Sequence, residues 1–117
     1  GNIFHTERDL LVASLQHARS QAVGNVCLGA SCTTGKPHGV HIAADKFVVF
    51  QGTTYATRDA LYDAEMPANP VVSHTGTVDI IFSELSGNAT PGSITMAHNG
   101  RTSVITISAA GQILWTN

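Results

Sequence analysis

A chain of 117 residues with a net charge of −2 is long enough for one domain with a single hydrophobic core, spanning residues 1–117, but too short for two. Only 12% of the residues are charged, about half the usual share, so uncharged polar residues must keep the surface soluble. The six Lys and Arg residues are scattered and form no basic stripe, which argues against nucleic acid as a partner.

The N-terminal segment, residues 1–24, is predicted to form an amphipathic helix. Five apolar side chains fall within about 60° of one another at helical spacing: Phe4, Leu11, Leu15, Ala18 and Ala22. Gly24-Asn25 is predicted to end the helix, with Gly24 in the left-handed conformation. The apolar pattern continues upstream of Thr6, a candidate N-cap, so we expect a helix that is already running at residue 1.

Residues 25–117 change to β-branched residues, Gly-containing turns and alternating apolar positions. The predicted strands are 26–28, 38–42, 46–50, 71–72, 78–82, 94–98, 101–107 and 112–115. Asn99-Gly100 predicts a hairpin with a type I′ turn, and 74–76 is predicted to be a turn. Residues 52–70 lack periodicity and predict a long surface loop with a single helical turn at most.

One helix followed by six to eight antiparallel strands predicts an α+β domain, with the helix packed on one face of the sheet. In this arrangement the apolar stripe of the helix covers the buried face of the sheet.

Cys27 and Cys32 leave three interpretations open: a small disulfide across a turn, buried free thiols, or metal ligands. The grouping Cys27, Cys32, His38 and His41 has zinc-type ligands, but its spacing fits none of the usual structural patterns. Residues 38 and 41 would also point to opposite faces of a strand. We therefore expect a disulfide beside two solvent-facing histidines, and no metal.

No motif for a nucleophile, a phosphate loop or a dinucleotide is present. Asp79, Ser83 and His98 share only their residue types with a catalytic triad, so no catalytic residue and no cofactor are predicted. The acids Asp59, Asp63 and Glu65 lack the spacing of a calcium loop and predict a solvated acidic patch. The aromatic residues Tyr55, Tyr62 and Trp115 are expected to anchor the core or the loops, with a protein contact patch as the alternative.

The order of the motifs resembles the GspH/FimT family of minor pseudopilins and type IV minor pilins. In that family a helix reading A-R-S-E-A leads into V-x-L-C and a second cysteine, as residues 18–22, Val26, Cys27 and Cys32 do here, with Gln21 in place of Glu. Residues 39–42, 47–52, 81–87 and 105–113 are similar to the sheet region of prepilin-type proteins.

The resemblance implies a non-enzymatic filament subunit of a type IV pilus or a type II secretion pseudopilus, with roles in protein transport or cell adhesion. A missing apolar N-terminal segment would anchor it in the bacterial inner membrane before assembly and pack into the filament afterwards. The β region would then lie at the filament surface or tip, in the periplasm or outside the cell. Its partners would be other pilin subunits and the inner-membrane assembly platform.

Within the helix, the resemblance leads us to expect Phe4 to face partner subunits, while the other four stripe residues hold the sheet. The alternative function is a DNA-binding minor pilin of a competence system.

Overall fold

The computed structural model describes residues 2–116. Helix α1 spans Asn2–Val23, and eight strands follow it. The strands are β1 His38–Ile42, β2 Lys46–Gln51, β3 Ala64–Pro67, β4 Ser73–Gly76, β5 Asp79–Phe82, β6 Gly92–His98, β7 Arg101–Ile107 and β8 Ile113–Trp115. A short 3-10 helix occupies Ala60–Tyr62. Among the described residues no helix is both long enough and apolar enough to span a membrane.

Helix α1 ends in a Schellman motif. The N–H of Asn25 donates to the carbonyl of Ala22 at 2.9 Å, and the N–H of Val26 donates to that of Gln21 at 3.0 Å. The left-handed position is Asn25, with φ 56°, and not Gly24 as the sequence suggested. Asn accepts this conformation better than most residues because its short polar side chain can bond locally. The predicted first residue of the helix lies outside the described part of the chain.

The strands form two four-stranded antiparallel sheets, where the sequence predicted one. The first has the order β3-β2-β1-β5, and the second has the order β4-β6-β7-β8. The chain crosses between the sheets three times, at residues 68–72, 77–78 and 83–91, and the shortest crossing, 77–78, connects β4 directly to β5. The β6–β7 hairpin is confirmed, since His98 pairs with Arg101 across the turn. Asn99 and Gly100 have φ values of 49° and 76°, as a type I′ turn requires.

The core lies between α1 and the inner faces of both sheets. Leu11 and Leu15 from the helix meet Val40 and Phe82 from the first sheet, and Ile105 from the second, in one buried cluster. Burial of this apolar surface is the main force that holds the helix to the sheets. The α+β architecture with a long N-terminal helix is thus confirmed.

Two predicted strands are wrong, and both errors arise from long-range contacts. Residues 26–28 are not a strand, because the N–H and carbonyl of Leu28 bond the side chain of Gln51 instead of a neighbouring backbone. Residues 71–72 are a turn, whereas the predicted turn at 74–76 is part of β4 and pairs with β6. Pairing with a distant strand outweighs the local turn preference of a His-Thr-Gly sequence.

The segment 52–70, predicted to be a long surface loop, contains more regular structure than the sequence predicts. Its second half contains β3, which pairs with β2 from Lys46↔Pro67 to Val49↔Ala64. Its first half folds back over the outer face of the first sheet, where Tyr55 contacts the ring of Phe50 at 5.4 Å between centroids. Phe50 is consequently buried on the face that points away from the helix.

Candidate functional site

Helix α1 has one face buried in its own domain and one face exposed. Phe4, Leu11, Leu15, Ala18 and Ala22 are all buried, with exposures of 0–1%. The expectation that Phe4 faces partner subunits is therefore wrong, because its ring packs in the same core as Leu15. The exposed face carries Thr6, Asp9, Ala13, Gln16 and Ser20. Those positions alternate in steps of three and four residues, which places them in one seam along the helix.

The loop after the helix is fixed by a disulfide and by one buried amide. Cys27 and Cys32 are bonded to each other. Gln51 accepts a hydrogen bond from the N–H of Leu28 at 2.6 Å and donates to the Leu28 carbonyl at 3.2 Å. It also donates to the carboxylate of Asp59 at 2.8 Å, and this bond lowers the pKa of Asp59. One side chain therefore connects the disulfide loop to the 52–62 segment.

His38 is fully buried, and the expectation of two solvent-facing histidines is wrong for it. Its Nε2–H donates to the carbonyl of Val26 at 2.9 Å, which ties β1 to the end of the helix. Its Nδ1 has no hydrogen-bond partner in the described part of the chain. Burial lowers the pKa of His38, because the charged form would lose its hydration.

His41 belongs to a layered arrangement on the outer face of the first sheet. Its ring stacks on Tyr55 with 3.8 Å between centroids, and its Nδ1 lies 2.6 Å from the carboxylate of Asp79. The guanidinium of Arg58 covers the other side of Tyr55 at 3.8 Å and donates through Nε to Asp63. Tyr55 is thus the loop anchor that the sequence suggested, clamped between two cationic or ionisable groups.

His74 on β4 is the second histidine in an apolar environment. Its ring lies at right angles to the ring of Phe47, with 5.1 Å between centroids, and neither of its ring nitrogens has a hydrogen-bond partner among residues 2–116. Burial lowers the pKa of His74 for the same reason as in His38. No signal in the sequence points to this environment, since the pattern at 74–76 predicts a turn.

The residues considered for metal binding or catalysis are not brought together. Asp59, Asp63 and Glu65 each pair with a different cation, namely Lys36 at 3.4 Å, Arg58 at 2.9 Å and Lys46 at 3.2 Å. Between residues 2 and 116 no group of three or more His, Cys, Asp or Glu side chains is arranged to hold a metal. Asp79 binds His41, while His98 contacts the carbonyl of Val71, so the considered triad does not form.

Two surface recesses border the helix, each with a volume of about 280 Å³. The first lies beside the N-terminal turns of the helix and is lined by Phe4, His5, Arg101 and Thr102. The second lies beside its C-terminal half and is lined by Gln16, Arg19, Gly111, Gln112 and Ile113. Of the six basic residues, Arg8, Lys36, Lys46 and Arg58 already pair with carboxylates. Arg101 lines the first recess and Arg19 the second, beside different ends of the helix, so these two charges do not form the continuous basic surface that favours DNA binding.

A long helix laid across antiparallel sheets, with one exposed polar seam, defines a pilin-like α+β domain. The family model of type II transport protein GspH matches residues 7–111. The match covers most of the chain, and the protein belongs to the GspH family of pseudopilins of type II secretion. The pseudopilins of this family are structural proteins, not enzymes, and their partners are other pseudopilins. No curated protein and no solved structure matches the chain.

Proposed function

We propose that this protein is a structural subunit of a type II secretion pseudopilus that assembles through α1 and displays its β region at the filament surface or tip. A preceding apolar segment would anchor it in the inner membrane before assembly, and the assembly platform would take it from there. The disulfide between Cys27 and Cys32 suits a domain that works in an oxidising compartment.

The observation that carries the proposal is the exposed seam of α1. It runs along the helix from Thr6 to Ser20 and has only one charged member, Asp9. Its centre is Ala13, whose small side chain lets the backbone of another helix approach closely. The core-facing stripe is buried inside the domain. The exposed seam is therefore the surface of α1 that is available for contact with other subunits.

A charge placed in the seam tests the proposal. Ala13→Lys is expected to block secretion and filament formation in cells, because the added charge would have to be desolvated between packed helices. The matched control is Ala56→Lys, since Ala56 is also exposed but lies in the 52–62 segment. Both variants are expected to keep the thermal stability of the parent. Normal secretion by the Ala13→Lys variant would contradict assembly through this seam.

A further inference from the structure

Arg19 lies beside two glycine turns. Gly87 and Gly111 both have positive φ, and their turns touch each other. A Cβ on Gly87 would come within 3.3 Å of the guanidinium carbon and Nε of Arg19, and one on Gly111 would come within 3.0 Å of Nε. The atoms nearest to those two Cβ positions are Cγ2 of Val23 and the carbonyl oxygen of Gly87, so both turns require glycine, and the guanidinium of Arg19 lies directly beside them.

The hydrogen-bonding capacity of this guanidinium is almost unused. A guanidinium carries five N–H donors, yet within residues 2–116 Arg19 makes only one hydrogen bond, a long one from Nη2 to the carbonyl of Ala110, at 3.5 Å. Its Nε is buried without a partner. No carboxylate among residues 2–116 forms an ion pair with Arg19. Arg19 lines a surface recess and is only partly buried, so the remaining N–H groups of its guanidinium are available to a partner from outside the chain.

The surroundings of Arg19 favour a carboxylate as the missing partner. The recess of about 280 Å³ next to Arg19 also presents the side chains of Gln16 and Gln112, whose amides can donate further hydrogen bonds. The planar guanidinium fork matches the two oxygens of a carboxylate. The recess contains a single cation, which balances one carboxylate but not a doubly charged phosphate.

We propose that this recess receives an aspartate or glutamate side chain from an adjoining filament subunit. The inference rests on the proposed assembly through α1, because Gln16 belongs both to the recess and to the exposed seam of the helix. A single open ion pair binds a small free acid weakly. Within a larger contact between subunits, however, the ion pair of Arg19 with a carboxylate sets the register of the proposed helix–helix contact. Electrostatic complementarity acts mainly on specificity in such interfaces.

The local test uses the purified 117-residue chain with sodium acetate as the probe and sodium chloride at equal ionic strength as the reference. Acetate is expected to shift the NMR signals of the Arg19 Nε–H and of the Gln112 side-chain amide. Both shifts should saturate with the same dependence on acetate concentration. Arg19→Lys is expected to weaken the Gln112 response by about two- to fivefold. The control is Arg101→Lys at the other recess, which is expected to leave the response of Gln112 to acetate unchanged. Shifts that chloride reproduces would overturn the inference.

The second test identifies the occupant in cells that express the full-length protein. A photoreactive residue in place of Gln112 reports on the recess, and one in place of Ala13 reports on the proposed helix contact. Adducts with another pseudopilin subunit are expected at both positions, and Arg19→Glu is expected to reduce only the adduct at position 112. Adducts at position 13 alone would overturn the recess inference and leave the proposed function standing. No adduct at position 13 would contradict the proposed function. An acetate response without any adduct at position 112 would show an adventitious ion only.

Discussion

Truncation of Phe4 gives the most direct test of how α1 is seated. Phe4 is 1% exposed and lies in the main core cluster together with Leu15. Phe4→Ala removes an entire buried ring, and such changes cost about 3 to 5 kcal/mol from lost burial and the cavity that remains. Leu15→Ala is expected to cost about 2 to 5 kcal/mol by the same reasoning. For a domain whose total stability is about 5 to 15 kcal/mol, either change removes a large fraction.

The neighbouring residue supplies a matched control. Ile3 is 49% exposed, although it belongs to the same helical turn as Phe4. Ile3→Ala is expected to cost about 1 kcal/mol or less, since only part of its side chain leaves water on folding. Urea unfolding followed by circular dichroism measures all three variants. Equal losses for Phe4→Ala and Ile3→Ala would refute the reasoning, because they would show that the first turns of the helix are not packed on the sheets.

Three further predictions concern the loops and the buried histidines. Replacing Cys27 and Cys32 together with Ser is expected to lower the free energy of unfolding by about 2 kcal/mol, because the closed loop is short; no change in the urea midpoint would contradict this. Gln51→Leu leaves polar groups of the disulfide loop unpaired and is expected to cost about 1 to 3 kcal/mol, with faster proteolysis within residues 52–62 as a second readout. His38 and His74 have lowered pKa values in the folded state, so the unfolded chain binds more protons as the pH falls below about 6.5. The free energy of unfolding is therefore expected to fall on acidification, by up to about 1.4 kcal/mol per pH unit for each histidine. His74→Leu should make this slope shallower, and an unchanged slope would show that His74 is not the responsible group.

The elements that the sequence predicted well depend on local signals. The helix follows from apolar spacing within one segment, and its stripe of five residues is buried as a set. The β6–β7 hairpin follows from Asn99-Gly100, because only a few residues accept positive φ at both turn positions. Neither signal needs information from a distant part of the chain.

The wrong predictions for His38 and Phe4 arise from contacts between distant parts of the chain. His38 shares a strand face with the apolar Val40 and Ile42, and it is buried there, where the loop after the helix returns to it and the carbonyl of Val26 accepts its Nε2–H. The family resemblance leads to the expectation that Phe4 faces other subunits, and the apolar pattern alone does not show how far the sheets extend along the helix. The Arg19 recess combines residues from the helix with turns around Gly87 and Gly111, which are far apart in sequence.

The sequence by itself therefore determined the architecture and the family resemblance, because helix periodicity, strand alternation and turn chemistry are local properties of the chain. Only the tertiary structure decided which surfaces remain for partners. It divided the strands into two sheets, buried the whole apolar stripe of α1 and left the polar seam around Ala13 exposed. Exposure depends on which distant segments pack together, and that outcome is settled by the sum of many weak contacts across the domain and not by any short stretch of residues.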